Sequence, residues 1–384
     1  MQRLYLNCLY LLLAGCLSAA GCQGSAVRTL EHDRDTGRLT EDEARLWYAA
    51  NELDRTLQNK GVVYVDENLN RYLQSLAGTL YPEFAGTVKL HALDAPELNA
   101  FALPNGSVYL NLGLIARMEN EAQLATVVAH ELSHYKFQHG LKQRHATDTA
   151  AVAGWAVTIF TGIPLSGQLV ALGAMSGYSQ EAEREADREG FKRISAHGYA
   201  PAESVRVFEI MRAEAKALGT NDPWLYSSHP RLTERIETMQ SLVSQHAVAS
   251  GRRYSDRFAA ATTGLRARLL EKYLAAHQYK QLIHVLEDGA IRQRYPAHAA
   301  YYLGEAYRQR AEEGDSDKAQ AAYLNAIEKA PRFAPAYRAL GIMRMQQGAN
   351  SEALRYFESY LELEPDAADI KYIQLYKRRL MEQP

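Results

Sequence analysis

The spacing of apolar positions divides the chain into a mixed first part and a wholly helical second part. Helical periodicity begins near Glu41 and recurs from Asp66 to Leu80, while Val88 to Leu93 has strand character. Two short apolar runs, Ala100–Leu103 and Ser107–Leu112, flank a Pro104-Asn105-Gly106 turn and predict a β-hairpin. Asn120 with Gln123 has the spacing of a capping box. It opens a helix through Val127, Val128 and His134 to about His139, with Gly140 as its stop. Further helices are predicted from Ser179 to His197, from Pro201 to Leu218 and from Leu232 to His246, and Gly198 is placed to end the first of these.

Beyond residue 255 a repeat takes over. Ala319, Tyr323, Ala326 and Pro331 recur as Ala353, Phe357, Tyr360 and Pro365, each offset by 34, and Leu303-Gly304 matches Leu340-Gly341. This resembles tetratricopeptide repeats in period and in its small, aromatic and proline positions. Two repeats are clear, and a degenerate one is expected from about Phe258 to Pro296, because such arrays need roughly three stacked units.

Composition narrows the class. Hydrophobic content of 47% and charged content of 23% are those of a folded globular protein. A net charge of -2 with dispersed Lys and Arg gives no footprint for nucleic acid. The three cysteines, Cys8, Cys16 and Cys22, all lie at the extreme N-terminus. There Arg3, an apolar run from Leu4 to Leu13 and small residues read as a secretory signal over residues 1–22, too short for a stable span. Leu13-Ala14-Gly15-Cys16 resembles a bacterial lipobox, with Cys22 as the alternative lipidated residue. Neither cysteine is followed by Asp, so the resemblance implies a periplasmic protein anchored to the outer membrane, with residues 23–40 as a polar tether.

The chemistry centres on His130-Glu131-Leu132-Ser133-His134. On a helix, residues four apart share a face, so both imidazoles reach one ion. Zinc accepts histidine nitrogen and, in a catalytic site, keeps a position for water, which Glu131 would deprotonate. The same five-residue pattern also occurs by chance as surface histidines, but here it lies in a strongly apolar helix. Downstream, Glu183 and Asp187 share a helix face. By charge pattern alone, among Glu181, Arg184, Glu185 and Arg188, they read as a solvated salt-bridged face. Beside the histidine pair they read as a third ligand and its supporting carboxylate, Asp187 orienting a ligand histidine, His130 being the natural choice. His91, His139, His145 and His197 carry no assigned role.

Together, the His130–His134 motif, Glu183-Arg-Glu-Ala-Asp187 and His229-Pro230 resemble the peptidase family of the CAAX prenyl protease and the mitochondrial Oma-type protease. Within it the chain is most similar to the periplasmic BepA-like peptidases, which join this domain to tetratricopeptide repeats. The resemblance implies a mainly α fold. A zincin-like (gluzincin) metallopeptidase domain with a small β-hairpin or sheet would cover residues 41–250, and an α-solenoid of repeats residues 255–370. It also implies one zinc per chain held by His130, His134 and Glu183, Glu131 as general base and Asp187 in support. His229 would be a displaceable fourth ligand, and Arg235 would help polarise the scissile carbonyl. Misfolded or unfolded envelope proteins would be the substrates. A protein partner, such as outer-membrane assembly machinery, would sit on the repeats.

Residues 150–180 carry no charge and are long enough to span a bilayer, but glycines and Pro164 break them into two short halves. A single span would place Glu183 across the membrane from His130 and His134. A buried or lid-like hairpin is therefore expected. The competing reading of the whole chain is a latent zinc-containing chaperone or adaptor, which the presence of Glu131 disfavours. The Asn99–Leu112 segment reads equally as a core hairpin or as an edge for an extended substrate.

Overall fold

The structure is a computed structural model that describes residues 29–31, 39–146, 178–219, 232–246 and 250–382. The expectations for Cys16, Cys22, most of the tether (residues 23–28 and 32–38), His229 and nearly all of the charge-free stretch lie outside these residues. Among the described residues no helix is long and apolar enough to cross a membrane.

The first half is a small sheet clasped between helices. Helix α1 (Glu41–Asn59) starts at a full capping box between Thr40 and Glu43. Strand β1 (Val63–Tyr64) leads to α2 (Glu67–Leu80), capped by the Asp66 side chain. Then come β2 (Lys89–Leu93), β3 (Ala100–Ala102) and β4 (Ser107–Asn111). The strand order is β1-β2-β4-β3. The predicted hairpin forms, pairing Ala100 with Leu110 and Ala102 with Val108, and Gly106 takes the left-handed turn position at φ +92°. The sequence did not announce the parallel pairing of β4 with β2, Leu90 opposite Val108. Alternation sorts the strands' side chains between two cores. Leu90, Ala92, Val108 and Leu110 face the main core with Leu73 and Leu132, whereas Leu93, Phe101 and Tyr109 face Leu53 and Leu57 of α1. Every residue of β4 is buried.

Strand β4 ends one residue short of the predicted Leu112, which instead opens helix α3 (Leu112–Arg117). Helix α4 (Glu121–Lys136) follows, and the chain continues through α5 (His139–Ala146), α6 (Gln180–Ala196), α7 (Ala202–Leu218) and α8 (Leu232–Gln245). The last three match the predicted helices to within a residue or so, and Gly198 at φ +74° follows the end of α6. The stop expected at Gly140 is a correction. Helix α4 ends earlier, because Gln138 takes a left-handed φ of +52°, and Gly140 lies inside the next helix.

The remaining helices are α9 (Ser255–Ala261), α10 (Thr263–Ala275), α11 (Tyr279–Glu287), α12 (Gly289–Arg292), α13 (Ala299–Arg310), α14 (Asp315–Lys329), α15 (Ala334–Gln346), α16 (Asn350–Leu363) and α17 (Ile370–Glu382). They pack in pairs, α13 on α14 and α15 on α16. In each pair the residue 34 positions apart does the same work: the Tyr323 ring covers Gly304 and the Phe357 ring covers Gly341.

Packing does not break near residue 255. One continuous core runs from Leu73 and Leu132 to Leu269, Tyr307 and Met343. Polar contacts reinforce the join. Buried Arg117 pairs with Glu214 at 2.6 Å and donates to the Tyr273 hydroxyl at 2.9 Å, and that hydroxyl donates in turn to the Pro96 carbonyl. Arg268 and Lys272 both reach Asp94.

Candidate metal centre

Helix α4 forms the floor of the site. Its N-cap, Asn120, accepts from the backbone of Gln123 at 3.1 Å, but the Gln123 side chain answers to the backbone of Glu119 rather than Asn120. Residues 121–135 are all buried, so the helix is a core element and not an amphipathic surface one. One turn apart on it, His130 and His134 bring their Nε2 atoms to 3.0 Å.

Helix α6 lies across α4 and supplies the carboxylates. It can approach closely because Gly190 has no side chain: a Cβ there would stand 3.2 Å from the His130 backbone nitrogen. Two turns earlier, Glu183 places Oε2 3.5 Å from His130 Nε2 and Oε1 3.6 Å from His134 Nε2. Two ligands bonded at 2.0–2.1 Å to a tetrahedral zinc stand about 3.3 Å apart. The three donors thus have the identity and spacing of a zinc site, and all three are buried. No other cluster of this kind is found among the described residues. Glu131 is buried beside His130 at a small apolar recess bounded by Ala100, Val127, Val207, Phe208 and Met211.

A carboxylate and the arginine that grips it brace His130. Its Nδ1 lies 2.9 Å from Asp187 Oδ1. Arg235 grips the same carboxylate with both arms, Nη2 to Oδ1 at 2.7 Å and Nε to Oδ2 at 3.0 Å. Its Nη1 stands 3.3 Å from Glu183 Oε2, and the guanidinium stacks over the Phe208 ring at 4.6 Å. Burial alone raises the pKa of Asp187, but the Arg235 charge and the His130 contact outweigh it and hold the carboxyl far below its usual range. Arg235 therefore stands in the structure as a clamp on the acidic pair.

His139, given no role from sequence, is a correction. Its Nδ1 sits 2.8 Å from His134 Nδ1, and its Nε2 lies 2.9 Å from Glu185 Oε2. Lys142 comes within 3.4 Å of the same oxygen. Burial lowers the pKa of His139 on balance. Tyr178 adds a second unforeseen contact, its ring stacked 3.9 Å from that of His134 at 14°. A five-residue spacing between histidines is not a helical one, so periodicity offered no signal. The left-handed turn at Gln138 brings His139 back beneath the ligand. By contrast, His91 stacks on Tyr109, and His197 bonds the Arg193 carbonyl at a helix end.

Residues 65–243 match peptidase family M48. The chain is similar to the beta-barrel assembly-enhancing protease of Escherichia coli O157:H7, 28% identical over 207 residues, which is 50% of this chain and 42% of that protein. It is also similar to the mitochondrial metalloendopeptidase OMA1 of Saccharomyces cerevisiae, 29% identical over 157 residues, or 39% of this chain and 46% of that protein. The same-named protein of Schizosaccharomyces pombe is 30% identical over 156 residues, 40% and 45% of the two chains. The chain spans less than half the length of these relatives.

Proposed function

Because residues 65–243 belong to peptidase family M48, we propose that this chain is a zinc-dependent endopeptidase of the bacterial envelope, acting on misfolded or stalled envelope and outer-membrane proteins. The observation that carries the reading is the convergence of His130, His134 and Glu183 in a buried cluster with Glu131 beside it. A zinc ion held by those three would supply Lewis acidity and lower the pKa of a water toward about 7. Glu131 takes the proton from the attacking water and passes it to the leaving amine. Asp187 fixes the His130 tautomer through Nδ1, leaving Nε2 as the ligand atom. The buried surroundings exclude bulk water and strengthen every charge interaction in the site. Edge strand β3, beside the recess, is proposed to receive an extended substrate as an added strand.

Envelope location rests on the N-terminal signal with Cys16 as the lipidated residue, and on similarity to a beta-barrel assembly-enhancing protease. The paired C-terminal helices are read as tetratricopeptide repeats holding a protein partner, such as outer-membrane assembly machinery. A groove of about 630 Å³ between α13 and α15, lined by Tyr301, Arg308, Arg338 and Met343, supports that reading.

The test is cleavage of casein by wild type, Glu131→Gln and His229→Ala, with zinc content assayed in each. Glu131→Gln should keep its zinc and lose about 10²- to 10⁴-fold in rate. The His229→Ala arm asks whether that residue restrains the enzyme. Zinc-loaded protein that never cuts, in any variant, would favour the chaperone reading instead.

A further inference from the structure

We propose that His139 is a positioning residue for the metal centre: a directed hydrogen-bond chain from His134 through His139 to Glu185 holds His134 in its metal-binding tautomer. The proposal rests on the zinc reading above and adds to it two residues, His139 and Glu185, that helical periodicity does not point to.

The direction of each bond follows from what imidazole can do. His134 Nε2 points into the cluster, 3.0 Å from His130 Nε2 and 3.6 Å from Glu183 Oε1. To serve as a ligand it must offer a lone pair there, so the single ring proton of the neutral form sits on Nδ1. That N–H needs an acceptor in a buried place. The atom 2.8 Å away is His139 Nδ1, which must therefore carry the lone pair. The proton of His139 is then on Nε2, facing Glu185 Oε2 at 2.9 Å. A carboxylate oxygen accepts, so the last link also has one sense, and the Lys142 ammonium lies 3.4 Å from the same oxygen.

The two ligand histidines are thus braced by the same logic through different parts. His130 donates directly to Asp187. His134 reaches its carboxylate through an intervening imidazole. His139 itself is 1% exposed, held by the left-handed Gln138 before it and by the Phe137 ring stacked at 5.6 Å. The chain ends at a half-exposed carboxylate, on the far side of His134 from the metal-ligand atoms.

Zinc affinity of the full chain, read by competition with a chromogenic chelator, tests this without recourse to activity. In His139→Asn the side-chain oxygen replaces the Nδ1 acceptor, whereas His139→Leu fills the space with no acceptor. His139→Leu should lose about 10- to 100-fold in zinc affinity and His139→Asn should recover most of it. Nitrogen-15 spectra of the zinc-loaded wild type, which need no variant to fold, should place the His134 proton on Nδ1 and the His139 proton on Nε2. Wild-type affinity in His139→Leu, an equal loss in both variants, or a His139 proton on Nδ1 overturns the proposal. A wild-type chain that takes up no zinc overturns the metal reading itself.

Discussion

Replacing Arg235 separates two roles, the carbonyl polarisation that the resemblance implies and the support of the metal ligands that its contacts with Asp187 suggest. In the structure Arg235 donates to both oxygens of Asp187, at 2.7 and 3.0 Å, with side-chain exposures of 8% and 1%. Solvent screening is therefore slight, and removing one partner of such a buried pair costs about 3–5 kcal/mol. Arg235→Met keeps the bulk against Phe208 and deletes the fork, so the metal-free chain should lose stability of that order. Burial then acts on Asp187 without its counter-charge and favours the protonated acid, which loosens its hold on His130 Nδ1. Zinc affinity should fall about 10- to 100-fold, as is usual when the partner of a ligand histidine is lost. Arg235→Lys keeps the charge but not the two-armed geometry and should fall between. Denaturant unfolding of the apo chain and chelator competition read the two effects. Wild-type stability and wild-type zinc affinity in Arg235→Met, with a loss confined to kcat, would refute the clamp and return Arg235 to the substrate.

Three further outcomes follow from packing and titration. Gly190→Val, whose Cβ would crowd the His130 backbone at 3.2 Å, should push α6 from α4 and weaken zinc binding at least about tenfold, since ligand positions tolerate only about 0.2 Å; the chelator assay reads this, and Gly190→Ala should be milder. Gly304→Ala and Gly341→Ala would drive a methyl to 2.5 Å from the Tyr323 ring and 2.6 Å from the Phe357 ring, so each should cost about 1–3 kcal/mol by denaturant midpoint while leaving zinc content unchanged. Burial raises the pKa of Glu305, but donors from Arg308, Tyr323 and Gln309 outweigh it and bring it below its ordinary 4.5. Its contribution to stability is therefore present above that pH and lost as pH falls through the lower folded value, so the gap in melting temperature between wild type and Glu305→Gln should shrink as pH is lowered from 7 toward 4.

Within elements the sequence was a sufficient guide. Periodicity of 3.6 places His130 beside His134 and Glu183 beside Asp187, and caps such as Asp66, Asn120 and Ser179 mark where helices begin. Period two sorted Leu90 and Val108 from Tyr109, and a fixed 34-residue offset set Tyr323 and Phe357 over their glycines. All of these are contacts between residues close in sequence or related by repetition, so local geometry encodes them. The parallel partner of β2, the approach of Glu183 to histidines some 50 residues earlier, and the grip of Arg235 on Asp187 are different. They depend on how separate elements pack, and no periodicity carries that information. His139 shows the division most sharply. Whether it extends the helix face or turns back to His134 is settled by one left-handed residue, Gln138, which only the surrounding core holds in place.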